Sequence, residues 1–556
     1  MRIDRSFITQ ELLHFSQTGN GLIIGKPGIG KSFLLGLLAE KLLEINLPVV
    51  IIKIDEFLDA SDESLTFEIG GDENWISFLR KVYIPEGTKA VLLFDAFDAA
   101  RDANLRNQVL LQIKKATSQL TNWSVLVSAR SYDAEKSPQL QKIFGIKGTS
   151  SKFRCRNFEI KELDDKELES LFDNRPEFRK IFNDGNDSLK DILRIPFFLN
   201  LMDQIFSEKG EWGIAGIKKF RSEVELLELY WKEKVAYKEN DLELEKFLTH
   251  LSNILVDNVS LVCKKHLLTE NPEIFKELRS NDLITEVGKL EENVAFSHNI
   301  LFDYIVGRQV ISDNAEELVD FLEADNLRQF FLRPSIVYKL TFIWHKERNK
   351  FWKLFFDLKK SNKKEITLFR KLIPVTIVAL QFDDWTDLEP ISKDIEGIKD
   401  LLQAIRFLDT IKYEKREINL LKETSKFLDP TFIWEFSHIL DRIFKKLSDY
   451  KQPEFDEIGE ISRTFFHFIL EKRLEKEINP KIKASLDRLG SIKGVNYICK
   501  TFSSDPIQSR ALILKVLEIL NEPGFDIYYF NNLCDNVKEL FETDPGLASE
   551  IYLKIY

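Results

Sequence analysis

Apolar residues in the first 160 positions fall into two alternating patterns. Short continuous runs read as strands buried on both faces: Leu22-Ile23-Ile24, Val49-Val50-Ile51-Ile52-Lys53-Ile54, Val91-Leu92-Leu93-Phe94 and Ser124-Val125-Leu126-Val127. After the first of these, Phe33-Leu34-Leu35, Leu37-Leu38 and Leu42-Leu43 recur at helical spacing. Phe153 to Ile160 alternates in part and is a candidate fifth strand. Buried strands separated by helices imply a parallel sheet covered on both faces.

From Glu162 onward the pattern is helical, with one interruption. Leu283 to Val287, a Gly288-Lys289 turn and Asn293 to Phe296 spell a short hairpin. Helices ahead of a small hairpin suggest a winged-helix-like module. Beyond residue 311, Leu318, Phe321 and Leu322, then Phe351, Leu354, Phe355 and Leu358, keep a three- and four-residue spacing. No fixed repeat is visible, so a helical array is inferred from periodicity alone. Sixteen of the 23 glycines precede residue 301, which places most tight turns in the first part.

Composition narrows this picture. The 556 residues suggest three or four domains, at roughly 100–200 residues each. A hydrophobic content of 44% rules out wholesale disorder. The net charge of −11 is spread over both halves, so a protein partner is favoured over nucleic acid. Lys359-Lys360 and Lys363-Lys364 form a dense basic spot that reads as a solvated loop. Cys155, Cys263, Cys499 and Cys534 make no CxxC pair, which fits a reducing cytosol and a cytoplasmic location. No window approaches the ~18 apolar residues of a membrane span. The histidines make no H-x-x-x-H pair and there is no G-x-S-x-G element, so zinc-hydrolase and serine-nucleophile chemistry are unsupported.

One motif carries chemistry. Gly25-Lys26-Pro27-Gly28-Ile29-Gly30-Lys31-Ser32 matches G-x-x-x-x-G-K-[ST] in full, between a strand and a helix that continues at Phe33. Its glycines let backbone N–H groups curl around a phosphate, and the helix amino end adds partial positive charge. Lys31 is expected to reach the β- and γ-phosphates and Ser32 to hold Mg²⁺. Asp95, closing the strand Leu92-Leu93-Phe94, is a second candidate Mg²⁺ ligand. Asp98 is a candidate for polarising the attacking water, or for pairing with Arg101. Arg130 ends the next strand at Ser128-Ala129-Arg130, where it can sense a γ-phosphate. A phosphate-loop ATPase using ATP, ADP and Mg²⁺ follows.

Asp95-Ala96-Phe97-Asp98 resembles the D-[GA]-h-D segment of the STAND ATPases, particularly their NACHT-like branch. The family often has another acid next, where this chain has Ala99. Common AAA+ enzymes place a glutamate directly after the first acid, where this chain has Ala96. Leu193-Arg194-Ile195-Pro196-Phe197-Phe198-Leu199 is similar to the family's helical-domain motif, and Phe296-Ser297-His298 through Tyr304 to its winged-helix motif F-x-H-x-x-x-x-x-Y. The resemblance implies that Pro196 packs by the adenine. It also implies that His298 contacts the β-phosphate of ADP and locks a closed state.

The organisation expected is a phosphate-loop α/β domain over 1–160, a helical domain over 161–225, a winged-helix-like domain over 226–310 and an all-α array over 311–556. The family's behaviour implies a slow ATPase switch. Its array senses a protein trigger, its opened form self-oligomerises, and bacterial antiviral defence is one setting. The phosphate loop begins at Gly25, which leaves 24 residues ahead of it, too few for an amino-terminal effector. Output is therefore expected from a separate partner, from the helical half or from a segment outside this chain. Ala99 keeps open a second reading, a nucleotide-binding scaffold that hydrolyses little. An AAA+ remodeller is a third reading, which Ala96 argues against.

Overall fold

The computed structural model describes residues 5–145, 154–209, 220–268, 271–324, 326–361, 366–408, 414–473, 475, 479–519, 535–538 and 540–555. The chain divides into two compact units, Met1–Ile366 and Thr367–Tyr556. The division falls well beyond residue 310, where the sequence suggested that the array begins.

The first unit opens with α1 (Ser6–Gln17), β1 (Gly21–Gly25), α2 (Lys31–Glu44) and β2 (Val49–Lys53). There follow α3 (Asp62–Ile69), α4 (Trp75–Arg80), β3 (Ala90–Asp95), α5 (Ala103–Gln119), β4 (Trp123–Arg130), α6 (Ser131–Lys136), α7 (Pro138–Phe144) and β5 (Asn157–Glu159). The strands form one parallel sheet in the order β2-β3-β4-β1-β5. β5 is shorter than the run proposed from the sequence, and Phe153 lies outside the described residues.

Every residue of β1 and β3 is buried, as continuous apolar strands between two helical layers require. The pleat divides them between two cores. Leu22, Ile24, Leu92, Phe94, Val125 and Val127 pack with Trp75 and Ile113 on one face. Ile23, Val91, Leu93 and Leu126 pack with Leu12, Leu34 and Leu38 on the other. β4 separates β1 from β3, so the carboxyl ends of these strands open a crevice of the kind in which open α/β sheets bind ligands.

Residues 161–209 add α8 (Asp165–Asn174), α9 (Pro176–Asp184), α10 (Asp187–Leu193) and α11 (Pro196–Lys209). Asp164 and Glu167 close a capping box on α8. Pro196 takes the first position of α11, where its missing N–H costs nothing.

Next come α12 (Glu223–Trp231), α13 (Asp241–Asp257), β6 (Val262–Lys264), α14 (Pro272–Ser280), β7 (Ile284–Val287), β8 (Asn293–Phe296) and α15 (Asn299–Gln309). β7 and β8 are the hairpin legible in the sequence. β6 joins them in an antiparallel sheet of order β6-β8-β7, a strand too short for its pattern to announce. The unit closes with α16 (Ala315–Glu323), α17 (Asn326–Lys346) and α18 (Arg348–Lys360).

α15 is buried continuously from Ile300 to Gly307 because α17 covers its second face. A Cβ on Gly307 would lie 2.5 Å from the Ser335 carbonyl oxygen, so glycine permits this approach. That packing explains why residues 315–360 belong to the first unit.

The described part of the second unit is helical. Its helices are α19 (Ile373–Gln381), α20 (Ile395–Phe407), α21 (Glu414–Ser425), α22 (Ile433–Phe444), α23 (Gln452–Arg473), α24 (Pro480–Leu489), α25 (Val495–Lys500), α26 (Pro506–Ile519) and α27 (Pro545–Ile555). α20 packs on α19 and α22, and α23 on α21, α24, α25 and α26. Phe466 and Leu470 of α23 meet Ile498, Val516 and Ile551 in its core. Arg473 and Asp487 form a buried pair at 2.7 Å. No described helix in either unit is long and apolar enough to cross a membrane.

Arg156 ties α1 to the sheet edge. It donates to the carbonyls of Phe15, Gly19 and Asn20 at 2.6, 2.6 and 2.9 Å, and its guanidinium lies 3.7 Å from the centre of the Phe15 ring. Arg156→Ala leaves three carbonyls without this donor and is expected to destabilise the first unit by about 2–4 kcal/mol in urea unfolding. A midpoint equal to that of the wild type would show that the tie carries no stability.

Candidate functional site

The loop Gly25–Lys31 follows β1 and enters α2. Gly28 and Gly30 have φ of 72° and 89°, the left-handed region that glycine adopts without strain. α2 has no side-chain cap, so the first N–H groups of the helix are left to a ligand. Lys31 Nζ donates to the carbonyls of Gly25 and Lys26 at 3.1 and 3.0 Å, across the loop. Burial lowers its pKa, with Arg130 adding to the effect and Asp98 and Asp95 opposing it. A phosphate beside Lys31 would restore the lost stabilisation of its charge.

A cavity of about 670 Å³ opens over this loop. Pro27, Gly28, Ile29, Gly30, Lys31, Ser32 and Phe33 border it, together with Asp95, Asp98, Arg130, Pro196 and His298. Of the residues singled out in the sequence, Gly25 and Lys26 do not line it. Gly25 closes β1, and the Lys26 ammonium turns away to pair with Glu162 at 2.6 Å.

Asp95 is buried where β3 ends. Its Oδ1 accepts from the Ser128 hydroxyl at 2.5 Å and from the Ala96 amide at 2.8 Å. Both bonds fall on one oxygen and leave Oδ2 for a ligand. The carboxylate and the exposed Ser32 hydroxyl are hard oxygen donors, which fit Mg²⁺. Ala96 then turns left-handed, with φ of 58°, and brings Asp98 round to the cavity.

Asp98 pairs with Arg130, Nε to Oδ2 at 2.6 Å, and not with Arg101. Burial pushes the Asp98 carboxyl up, but Arg130, Lys31 and Arg101 outweigh it and hold the group below its ordinary range. Arg101 instead meets Asp303 of α15 through two hydrogen bonds, at 2.7 and 2.8 Å.

His298 caps α15. Its Nδ1 accepts from the Ile300 amide at 3.1 Å, so the neutral ring carries its proton on Nε2. The ring lies 4.2 Å from that of Phe197, tilted by 31°. Burial lowers its pKa to about 4, with help from Arg130 and Lys31 and against Asp98.

Pro196 and Phe197 open α11 directly over the loop. The Phe197 amide donates to the Gly28 carbonyl at 3.1 Å. A Cβ on Gly28 would lie 2.8 Å from Phe197 Cβ and 3.1 Å from Ile300 Cδ1. Gly28 is therefore required by space as well as by φ. The loop, α11 and α15 meet at this residue.

Several contributors were not singled out in the sequence. Arg5 donates from beneath to the Ile29 carbonyl at 3.2 Å and the Lys161 carbonyl at 3.0 Å, and it pairs with Glu167. Asp55 follows β2 and lines the cavity; burial, then the charges of Asp95 and Glu56, push its carboxyl up to about 7. An acid soon after an apolar strand, as at Asp95, was the available signal for Asp55. Arg5 had none.

A glycine loop between the first strand and its helix, with a carboxylate ending the parallel strand next but one to it, defines the class as a phosphate-loop NTPase fold. No family model and no curated protein matches the chain. Among solved structures it is similar to the Walker-type ATPase PABY2304 of Pyrococcus abyssi. That likeness has 16% identity and a TM-score of 0.28, over 55% of this chain and 96% of that one. The class rests on strand order and loop geometry.

His298 stays neutral in the folded protein well below the pH at which an unfolded histidine charges. Its contribution to stability is complete above the ordinary histidine range and falls as pH drops from about 6.5 towards 4. Proton NMR is expected to place its titration near 4 without nucleotide, and higher once ADP neutralises Lys31 and sets a phosphate beside the ring. A titration at the ordinary value in both states would contradict this environment.

Proposed function

We propose that the chain is a nucleotide-dependent switch of the STAND type, NACHT-like branch, which holds ADP or ATP with Mg²⁺ and hydrolyses ATP slowly. The observation that supports this most is that the phosphate loop, Pro196 and His298 border one cavity. A ligand held there contacts segments from three successive modules, so exchanging it changes how they hold together. The loop amides and Lys31 bind phosphates, Ser32 and Asp95 hold Mg²⁺, and Pro196 with Phe197 packs by the adenine. His298 donates from Nε2 to the β-phosphate and fastens the closed state.

Slow turnover agrees with the engagement of Asp98 by Arg130 and with Ala99 in place of the family's further acid. On the resemblance, the carboxyl-terminal helices sense a protein trigger. The opened chain self-assembles and acts through a partner effector in the cytoplasm, with antiviral defence as its setting. Moving such a switch from 1:99 to 99:1 takes about 5.5 kcal/mol of differential binding.

The same Asp98–Arg130 pairing favours a second reading, a nucleotide-binding scaffold with little hydrolysis. Single-turnover assays separate the two: bound nucleotide without Mg²⁺-dependent ADP formation leaves only the scaffold.

Lys31→Ala is expected to weaken ATP binding at least about tenfold in a fluorescent-nucleotide titration. Unchanged affinity and activity would remove the phosphate-loop assignment. His298→Ala is expected to speed ADP release and raise basal assembly, read by light scattering. If ADP retention and particle size both stay at wild-type values, His298 is not the lock.

A further inference from the structure

Two arginines and two aspartates form two ion pairs, one bordering the cavity and one buried outside its lining. Arg130 and Asp98 form the pair that faces the ligand space. Arg101 and Asp303 form the other, with side chains only 6% and 2% exposed, and neither lines the cavity. This inner pair joins the segment after β3 to α15, residues 202 positions apart. It is closely held. The Ser335 hydroxyl donates to Asp303 Oδ1 at 3.1 Å, Arg101 donates to the Phe331 carbonyl at 3.3 Å, and the guanidinium lies 5.6 and 5.8 Å from the Phe302 and Phe331 ring centres.

The pairs are coupled. The charge of Arg101 acts on Asp98 as well as on its own partner, and the charge of Asp303 acts on Arg130. The other charged neighbours are Lys31, which acts on Asp98, and Asp133 of α6, which acts on Arg130 and pairs with Arg106 at 3.3 Å. As they stand, the two pairs sum to zero charge. A buried carboxylate that loses its partner is strongly destabilised. An anion that engages Arg130 and Lys31 takes both from Asp98, and the remaining cation acting on Asp98 is Arg101, three residues along the chain.

We infer that a terminal phosphate drawn to Arg130 makes Asp98 exchange Arg130 for Arg101, breaking the Arg101–Asp303 pair and releasing α15 from the phosphate-loop domain. ADP lacks that phosphate and leaves both pairs in place. Arg101 and Asp303 are thus positioning residues that convert the presence of one phosphate into the freedom of one helix. The inference rests on the nucleotide reading above and specifies its regulation.

Hydrogen exchange of residues 299–309 in the full chain, with Mg²⁺ and either ADP or a non-hydrolysable ATP analogue, tests it. Nucleotide binding is followed in parallel by fluorescence. In the wild type the analogue is expected to speed exchange about tenfold or more over ADP. Asp98→Asn is expected to bind the analogue at least as tightly, because Arg130 is free, yet show no acceleration. Asp303→Asn is expected to exchange fast with either nucleotide. If that variant does not fold, Arg101→Lys, which keeps the charge and loses the two-point hydrogen bonding to Asp303, is expected to shift the same way. Three results would overturn the exchange while leaving the switch reading intact: bound analogue with no acceleration in the wild type, acceleration in Asp98→Asn equal to the wild type, or wild-type exchange with ADP in the variant that disrupts the inner pair. A wild type that binds neither nucleotide would overturn both.

Discussion

The hydrogen bond from the Phe197 amide to the Gly28 carbonyl fixes much of what surrounds it. It places the amino end of α11 on the apex of the phosphate loop. Gly28 cannot carry a side chain there, because Phe197 and Ile300 already fill the space. With α11 and α15 brought to one residue, Pro196 and His298 border the same cavity as the loop. A loop that merely binds phosphate needs its glycines for conformation. This one needs Gly28 for the approach of α11 and α15 as well, which makes the loop a junction.

The electrostatics follow from that junction. Burial lowers the pKa of Lys31 and leaves His298 neutral, while Asp98 keeps its charge through Arg130. The cations in the cavity are therefore held in readiness for an anion, and His298 presents one N–H because its other nitrogen caps a helix. Arg130 borders the ligand space and also feels the charge of Asp303 in the inner pair.

What the sequence revealed was local. Leu22 to Ile24 and Val91 to Phe94 are continuous apolar runs because both faces of the sheet are covered. The phosphate loop is contiguous, so its residues announce each other. By sequence Asp98 is a candidate to polarise water or to pair with Arg101, but its partner is Arg130 on the next strand, and Arg101 turns to Asp303 instead. Asp303 lies inside the Phe296–Tyr304 motif, but its partner is 202 positions away, and no spacing rule reaches that far. The extent of the first unit was hidden for the same reason. α16 to α18 share the periodicity of the helices after them, and only the packing of α17 over α15 assigns them to the first unit.

The proposed switch requires one nucleotide to be held at once by the loop and by the amino ends of α11 and α15. A crystal structure of the Mg²⁺–ADP complex tests it most directly. Bound ADP is expected to place its β-phosphate within hydrogen-bond reach, about 3 Å, of both the loop amides and His298 Nε2, with the adenine beside Pro196. A β-phosphate held by the loop while His298 and α11 stand clear of the nucleotide would contradict it.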